Sequence, residues 1–331
     1  MKTCTRCLLP GNFPSVRYDS NGVCNYCRFY QDFERRKDEG QSVYLEKMEK
    51  LIERHRNRGD YDILMAYSGG KDSTYALDLF KNRFHLRVLA LTFDHGFVSS
   101  RAMRNITTVI ERLGIDHITF KPSFEMLKRI FVLSIQRNIF TTKTIERAST
   151  ICTSCMNFVK LITIKTALEK RIPFLGFGWS PGQAPIQSSV MKNNPGFIRS
   201  MQKAIFDPLF EAMGEDISPY FLTERHFDEE SFFPYNLHPL AFMKYDEEAI
   251  YRRIRQLGWI PPDDTDPNST NCLMNAFANR VHLEKYGFHP YVFEISGHIR
   301  MGIITREEGL RRLNEPENDQ IIEYIKNKLG I

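Results

Sequence analysis

The chain lacks any run approaching the ~20 continuous apolar residues of a membrane span. It also lacks an apolar stretch behind Met1 that would read as a secretion signal. The expectation is a cytoplasmic protein without a membrane partner. A strong charge of one sign is missing too: 45 basic and 40 acidic residues leave a net charge of +5. That suits an anionic partner such as ATP, a nucleotide sugar or tRNA, but is too mild to single out nucleic acid. No appended RNA-binding domain is recognisable. An even cysteine count is absent as well. Seven cysteines, clustered as CxxC pairs in a reducing compartment, argue for metal ligation over disulfides. With 331 residues, 42% hydrophobic and 26% charged, the chain has core enough for one large domain or two modest ones.

The common phosphate loop GxxxxGK[ST] is also missing. In its place Ser68, Gly69, Gly70, Lys71, Asp72 and Ser73 stand between an apolar run at 63–67 and a helix-like stretch at 74–80. Two glycines between a strand and a helix let backbone N–H groups converge on an anion, and phosphate is the natural ligand. The stretch resembles the PP-loop, SGGxDS, of the ATP pyrophosphatase superfamily, whose fold is adenine nucleotide alpha hydrolase-like. Those enzymes cleave ATP between the α and β phosphates and transfer AMP to a substrate oxygen. The resemblance implies that residues 68–73 hold the phosphates, that Lys71 stabilises developing charge, and that Asp72 ligates Mg²⁺ or orients the loop.

Strands expected at 62–67, 87–94, 117–120 and 172–177 alternate with helices, which predicts an α/β fold with a doubly wound parallel sheet and ligands at the carboxyl ends of the strands. By the same resemblance Thr92, Phe93 and Asp94 border the adenosine, with a helix cap as the other reading of Asp94. Gly178, just beyond the strand at 172–177, joins the nucleotide-binding candidates. The layout expected is a metal-binding module at 1–30, a charged linker helix at 31–60, an ATP-binding domain at 61–190, and a substrate-selecting insertion with a helical extension at 191–331.

Two cysteine constellations carry further chemistry. Cys4, Cys7, Cys24 and Cys27 form two CxxC knuckles around a turn-rich segment, a spacing that suits a tetrahedral thiolate site. Structural zinc is the reading here, with an iron site as the rival. Cys152 and Cys155 open an amphipathic helix, and Cys272 follows far downstream. Three cysteines leave the fourth iron of a [4Fe–4S] cube without a protein ligand. In this the chain resembles the iron–sulfur tRNA 2-thiolases. A redox pair with Cys272 merely buried, a zinc site and chance are the competing readings. The sequence departs from that family where its Gly-His-x-x-Asp-Asp loop is replaced by Gly178, Trp179, Ser180, Pro181 and Gly182.

A second resemblance joins both ends. The knuckles at 4–7 and 21–27, the PP-loop, and the terminal Ile299, Arg300, Gly302, Thr305, Arg306, Glu307 and Glu308 look like the N-acetyl sugar amidotransferases of surface-polysaccharide pathways. Those enzymes are thought to adenylate an acetamido oxygen and replace it with ammonia from a glutaminase partner. Both resemblances imply adenylation; they differ in the incoming atom. The three additional cysteines favour sulfur, delivered by a sulfur donor to a tRNA or small-molecule acceptor. Amidation is the alternative, an inactive ATP-binding protein is the reading of another class, and a homodimer is compatible with either.

Overall fold

In the computed structural model, the described residues are 2–331 other than 35–36, 138, 142–143, 145, 184, 215–216, 229–231 and 267, and other than the side chains of 31–40. Part of the expected linker helix, residues 35–36, therefore lies outside the described residues. Among those described, six strands make one sheet in the order β3-β2-β1-β4-β6-β5. They are β1 (Ile63–Ala66), β2 (Val88–Phe93), β3 (Asp116–Phe120), β4 (Phe174–Phe177), β5 (Val190–Lys192) and β6 (Tyr235–Leu237). Ile63 stands opposite Val88 on one side and Phe174 on the other, both in parallel register. β6 continues parallel beside β4, and β5 closes that edge antiparallel. The strand order reverses direction at β1 and β4, the place where open α/β sheets bind ligands beyond their carboxyl ends.

Alternation along the strands shows why helices cover both faces. Leu64, Leu89, Leu91, Phe93, Leu175 and Phe177 point into one buried cluster, whereas Ile63, Met65, Val88, Ala90 and Phe174 point into another. The helices are α1 (Asn25–Glu34), α2 (Lys37–His55), α3 (Lys71–Asp78), α4 (Ser100–Leu113), α5 (Phe124–Gln136), α6 (Thr150–Glu169), α7 (Pro195–Met213), α8 (Glu247–Gln256), α9 (Met274–Tyr286), α10 (Val292–Arg300), α11 (Arg306–Asn314) and α12 (Asp319–Leu329). The first cluster is completed by α5, α6, α7, α9 and α12, the second by α2, α3, α4 and α8. Helix α6 is long and apolar enough to cross a membrane by composition, yet half of that stretch is buried against the sheet.

The stretch at 190–240, expected as an irregular insertion, contributes β5, β6 and α7 to the main body. Strands of three residues are too short for their alternation to be visible. Ser99, not Asp94, caps α4: its hydroxyl accepts from the Arg101 and Ala102 N–H groups. Residues 2–27 do not stand apart. Phe13 packs between Phe288 and Phe293, at ring distances of 5.3 and 5.4 Å, so both ends of the chain share a core with the four cysteines. Helix α11 is capped by Thr305, whose side chain accepts from the Glu308 N–H.

Candidate active site and metal centre

β1 delivers residues 68–73 to the reversal point. Gly69 has φ +74, and a Cβ there would lie 2.7 Å from the Ala102 carbonyl oxygen, so both conformation and packing demand glycine. Trp259 donates its indole N–H to the Gly69 carbonyl at 2.9 Å. Ser73 donates to the Gly70 carbonyl at 3.0 Å and pairs with Ser68, also at 3.0 Å, which ties the loop across its mouth. Helix α3 starts directly behind, its positive end facing any anion in the loop. Gly178 has a packing role: a Cβ would lie 2.4 Å from Ser73 Cα, so only glycine lets the end of β4 pass the start of α3.

Lys71 is held by residues that lie far away in sequence. Its Nζ donates to Tyr245 at 2.7 Å and to Glu247 at 2.6 Å, while Tyr245 donates to Asp72 at 2.8 Å. Glu247 also receives Arg312 at 2.7 Å, and Arg312 reaches Glu308 at 2.7 Å. The terminal motif thus connects to the loop through three ion pairs, Glu308–Arg312, Arg312–Glu247 and Glu247–Lys71. Burial works against the Lys71 charge, but the Asp72 and Glu247 carboxylates outweigh it and keep the lysine pKa above its ordinary value. Glu247 is opposed by burial yet held down at about 2, chiefly by Lys71 and Arg312. Burial raises Asp72 and, close by, Glu294, whose carboxylate receives Ser180 at 2.8 Å and Gln183 at 3.1 Å.

Of the expected adenosine neighbours, Thr92 is buried and donates to the Tyr67 carbonyl at 2.8 Å. Phe93 stacks on Phe120 at 6.3 Å. Asp94 accepts from the Gly96 N–H at 2.9 Å and pairs with Lys121 at 3.0 Å. All three sit at the carboxyl end of β2, one strand away from the loop.

The seven cysteines separate into two sets. Cys4, Cys7, Cys24 and Cys27 are fully buried with all four sulfurs within 4.8 Å of one another. Cys4 to Cys27 is 3.8 Å and Cys7 to Cys24 is 3.5 Å. Four thiolates at about 2.3 Å from one tetrahedral ion would spread by much the same distance, so the donors fit a single ion. N–H groups of Arg6 and Cys24 point at Cys4, and the Arg300 guanidinium donates to Cys7 at 3.2 Å, offsetting thiolate charge.

Cys152, Cys155 and Cys272 form the second set. The first two ride the opening turns of α6, where Ser149 caps the helix and receives the Cys152 N–H at 3.1 Å. Cys272 arrives on a segment bridged to Val98, with the Leu273 N–H donating to the Phe97 carbonyl at 2.9 Å. Burial and then the charges of Cys272 and Cys152 push the Cys155 thiol up; Cys272 is raised to about 12 by burial and by Cys152. The three are thus neighbours and half-buried, whereas the N-terminal four are fully buried. Asn275 points its amide at Cys152, at 4.0 Å, and at Tyr291, at 3.0 Å.

One short segment joins loop and thiols. The Lys71 N–H donates to the Thr270 hydroxyl at 2.9 Å, and Cys272 follows two residues later. Tyr245, Glu247, Trp259, Thr270, Glu294 and Arg312 were not singled out from sequence. In isolation each reads as a helix charge or a core aromatic. Only the terminal pattern around Thr305 and Glu308 hinted that this end of the chain reaches the site.

No protein-family model matches the chain. An uncharacterized protein from Methanocaldococcus jannaschii is 22% identical over 306 residues, spanning 91% of this chain and 89% of that one. Among solved structures, the chain aligns with a U34-tRNA thiolase from Methanococcus maripaludis, determined with its [4Fe–4S] cluster. Identity is 16%, coverage is 100% of this chain and 99% of that one, and the TM-score is 0.38. It also aligns with NMN synthetase from Francisella tularensis at 12% identity, covering 89% and 96%, with a TM-score of 0.39.

Proposed function

We propose that the protein is an ATP-dependent, AMP-forming enzyme of the PP-loop kind that replaces a carbonyl oxygen of its acceptor with sulfur. The observation that carries this reading is the segment 270–275, which touches the Lys71 N–H through Thr270, presents Cys272, and points Asn275 at Cys152. ATP enters with its β and γ phosphates at the backbone of 68–73. Lys71 exchanges its contacts with Glu247 and Tyr245 for phosphate oxygens, and Asp72 holds Mg²⁺. The acceptor's carbonyl oxygen attacks the α phosphorus, the bond to the bridging oxygen breaks, and pyrophosphate leaves. A sulfide-level sulfur then bonds to the carbon as its bond to the AMP oxygen breaks. Cys152, Cys155 and Cys272 would hold a [4Fe–4S] cluster, which would supply an iron without a protein ligand, suited to presenting sulfur. The four N-terminal thiolates serve a structural ion, zinc in this reading, although the sulfur spacing suits a tetrahedral iron equally well.

Amidation is the second reading. It is favoured by the connection of the terminal motif to Lys71 through Glu308, Arg312 and Glu247. Anaerobic purification followed by metal analysis separates the two. Iron with a broad visible absorption band, both lost in Cys272→Ala together with thiolation, is the expected result. Zinc alone, or full activity of that variant, defeats the sulfur reading. Pyrophosphate release that disappears in Lys71→Ala separates either enzyme from a passive ATP binder.

A further inference from the structure

His238 follows β6 and is completely buried, yet neither ring nitrogen has a hydrogen-bond partner among the described residues. The Phe177 and Leu237 carbonyls lie close by, but neither bonds the ring. Its imidazole lies 4.4 Å from the Trp179 ring, and the Lys160 ammonium sits 5.0 Å over that same indole. Lys160 lies on α6, on the same helix as Cys152 and Cys155. Among the described residues no carboxylate forms an ion pair with this half-buried lysine, and burial lowers its pKa. A cation over an indole recovers part of its lost hydration, but it is no substitute for a counter-charge.

Two groups of complementary type, an ammonium without a carboxylate partner and an imidazole without a hydrogen-bond partner, therefore lie against one spot, the Trp179 indole. The spot has the position expected of a substrate site. Because β4 and β6 run parallel with Gly176 opposite Leu237, Phe177 and His238 are next in register at the carboxyl ends of the two strands. Gly178, the residue before Trp179, abuts Ser73 of the PP-loop, and Ser180, the residue after it, binds Glu294.

We propose that Lys160, Trp179 and His238 together form the site for the anionic end of a small-molecule acceptor, a carboxylate or a phosphate. The inference rests on the adenylation reading only for the word acceptor. The anion's charge completes Lys160, an imidazole N–H of His238 donates to it, and the rest of the molecule extends past Gly178 toward the nucleotide loop. A single cation beside a fully buried histidine suits one compact anion; a nucleic-acid backbone needs a row of exposed cations.

The test uses the full-length protein, with inorganic phosphate and acetate as separate probes and tryptophan fluorescence as readout. The chain has two tryptophans, and Trp259 reports on the Gly69 carbonyl. A saturable response to at least one anion is expected in the unmodified protein and in Lys71→Ala. The response to acetate, which unlike phosphate has no claim on the loop at 68–73, is expected to vanish in Trp179→Phe, Lys160→Met and Lys160→Gln. The anion should raise the melting temperature of the parent and not of the Lys160 variants. Lys160→Met itself should melt no lower than the parent, since it removes an uncompensated charge. No response to either probe, an acetate response retained in both Lys160 variants, or one lost in Lys71→Ala overturns the assignment. The response requires neither ATP nor iron, so it can stand while pyrophosphate release fails, and the reverse.

Discussion

The two cysteine sets differ in how they are assembled. Cys4, Cys7, Cys24 and Cys27 come from two knuckles close in sequence and leave no exposed sulfur. Cys152, Cys155 and Cys272 combine a helix start with a bridged segment from the far end of the chain, and all three stay partly accessible. The closed set completes a tetrahedron and has nothing left to offer a substrate. The open set lies near the loop at 68–73 through Thr270, two residues before Cys272, and in the proposed function it would be one ligand short of a cube. A cysteine's role follows from its depth and its neighbours more than from its CxxC spacing.

The comparison breaks most visibly at the closed set. Cys7→Ser should release the ion and cost the N-terminal module on the order of 5 kcal/mol or more, since metal binding there is folding energy. Zinc content and hydrogen exchange of residues 2–27 would record it. Phe13→Ala should come next, at about 3–5 kcal/mol for a buried phenylalanine between two rings. Thermal unfolding should show the loss while the ion remains bound, which separates docking from ligation. Cys272→Ser should cost only about 1 kcal/mol of stability. Metal analysis should find iron gone and zinc kept, and loss of both metals would mean that the sets are not independent.

The smallest effect concerns the acid limb of stability. Glu247 titrates at about 2 in the folded chain against an ordinary 4.5. Its contribution is therefore complete above the ordinary value and is lost as pH falls through about 2. Glu247→Gln should flatten that part of a urea-unfolding profile. The steep change from protons competing for the thiolates of the closed site should persist. A profile identical to the parent's would show that the Glu247 link to Lys71 carries no stability.

The sequence made the phosphate loop legible because its six residues are contiguous and their strand-to-helix setting is local. The four-cysteine site was legible for a similar reason, its two knuckles lying close in sequence. Tyr245, Glu247 and Arg312 were not, since their meaning arises only when α8 and α11 are brought over α3. Glu247, next to the Asp246 cap, looks like an ordinary acid of a helix's first turn. β5 and β6 were hidden by their length, and Gly178 by a steric reason that needs Ser73 in place. The shared contact of Lys160 and His238 with Trp179 joins a helix and a strand end that have no sequence pattern in common.

Thr270, Asn271 and Cys272 set a measure. Two residues of extended chain reach at most about 7 Å, and here Thr270 is fixed to the phosphate loop, Asn271 to the Ser99 N–H, and Cys272 to Val98. The separation between the nucleotide loop and the thiols is thus written into the covalent chain and pinned at three successive residues. A single inserted residue here would leave each centre intact and put the two out of step.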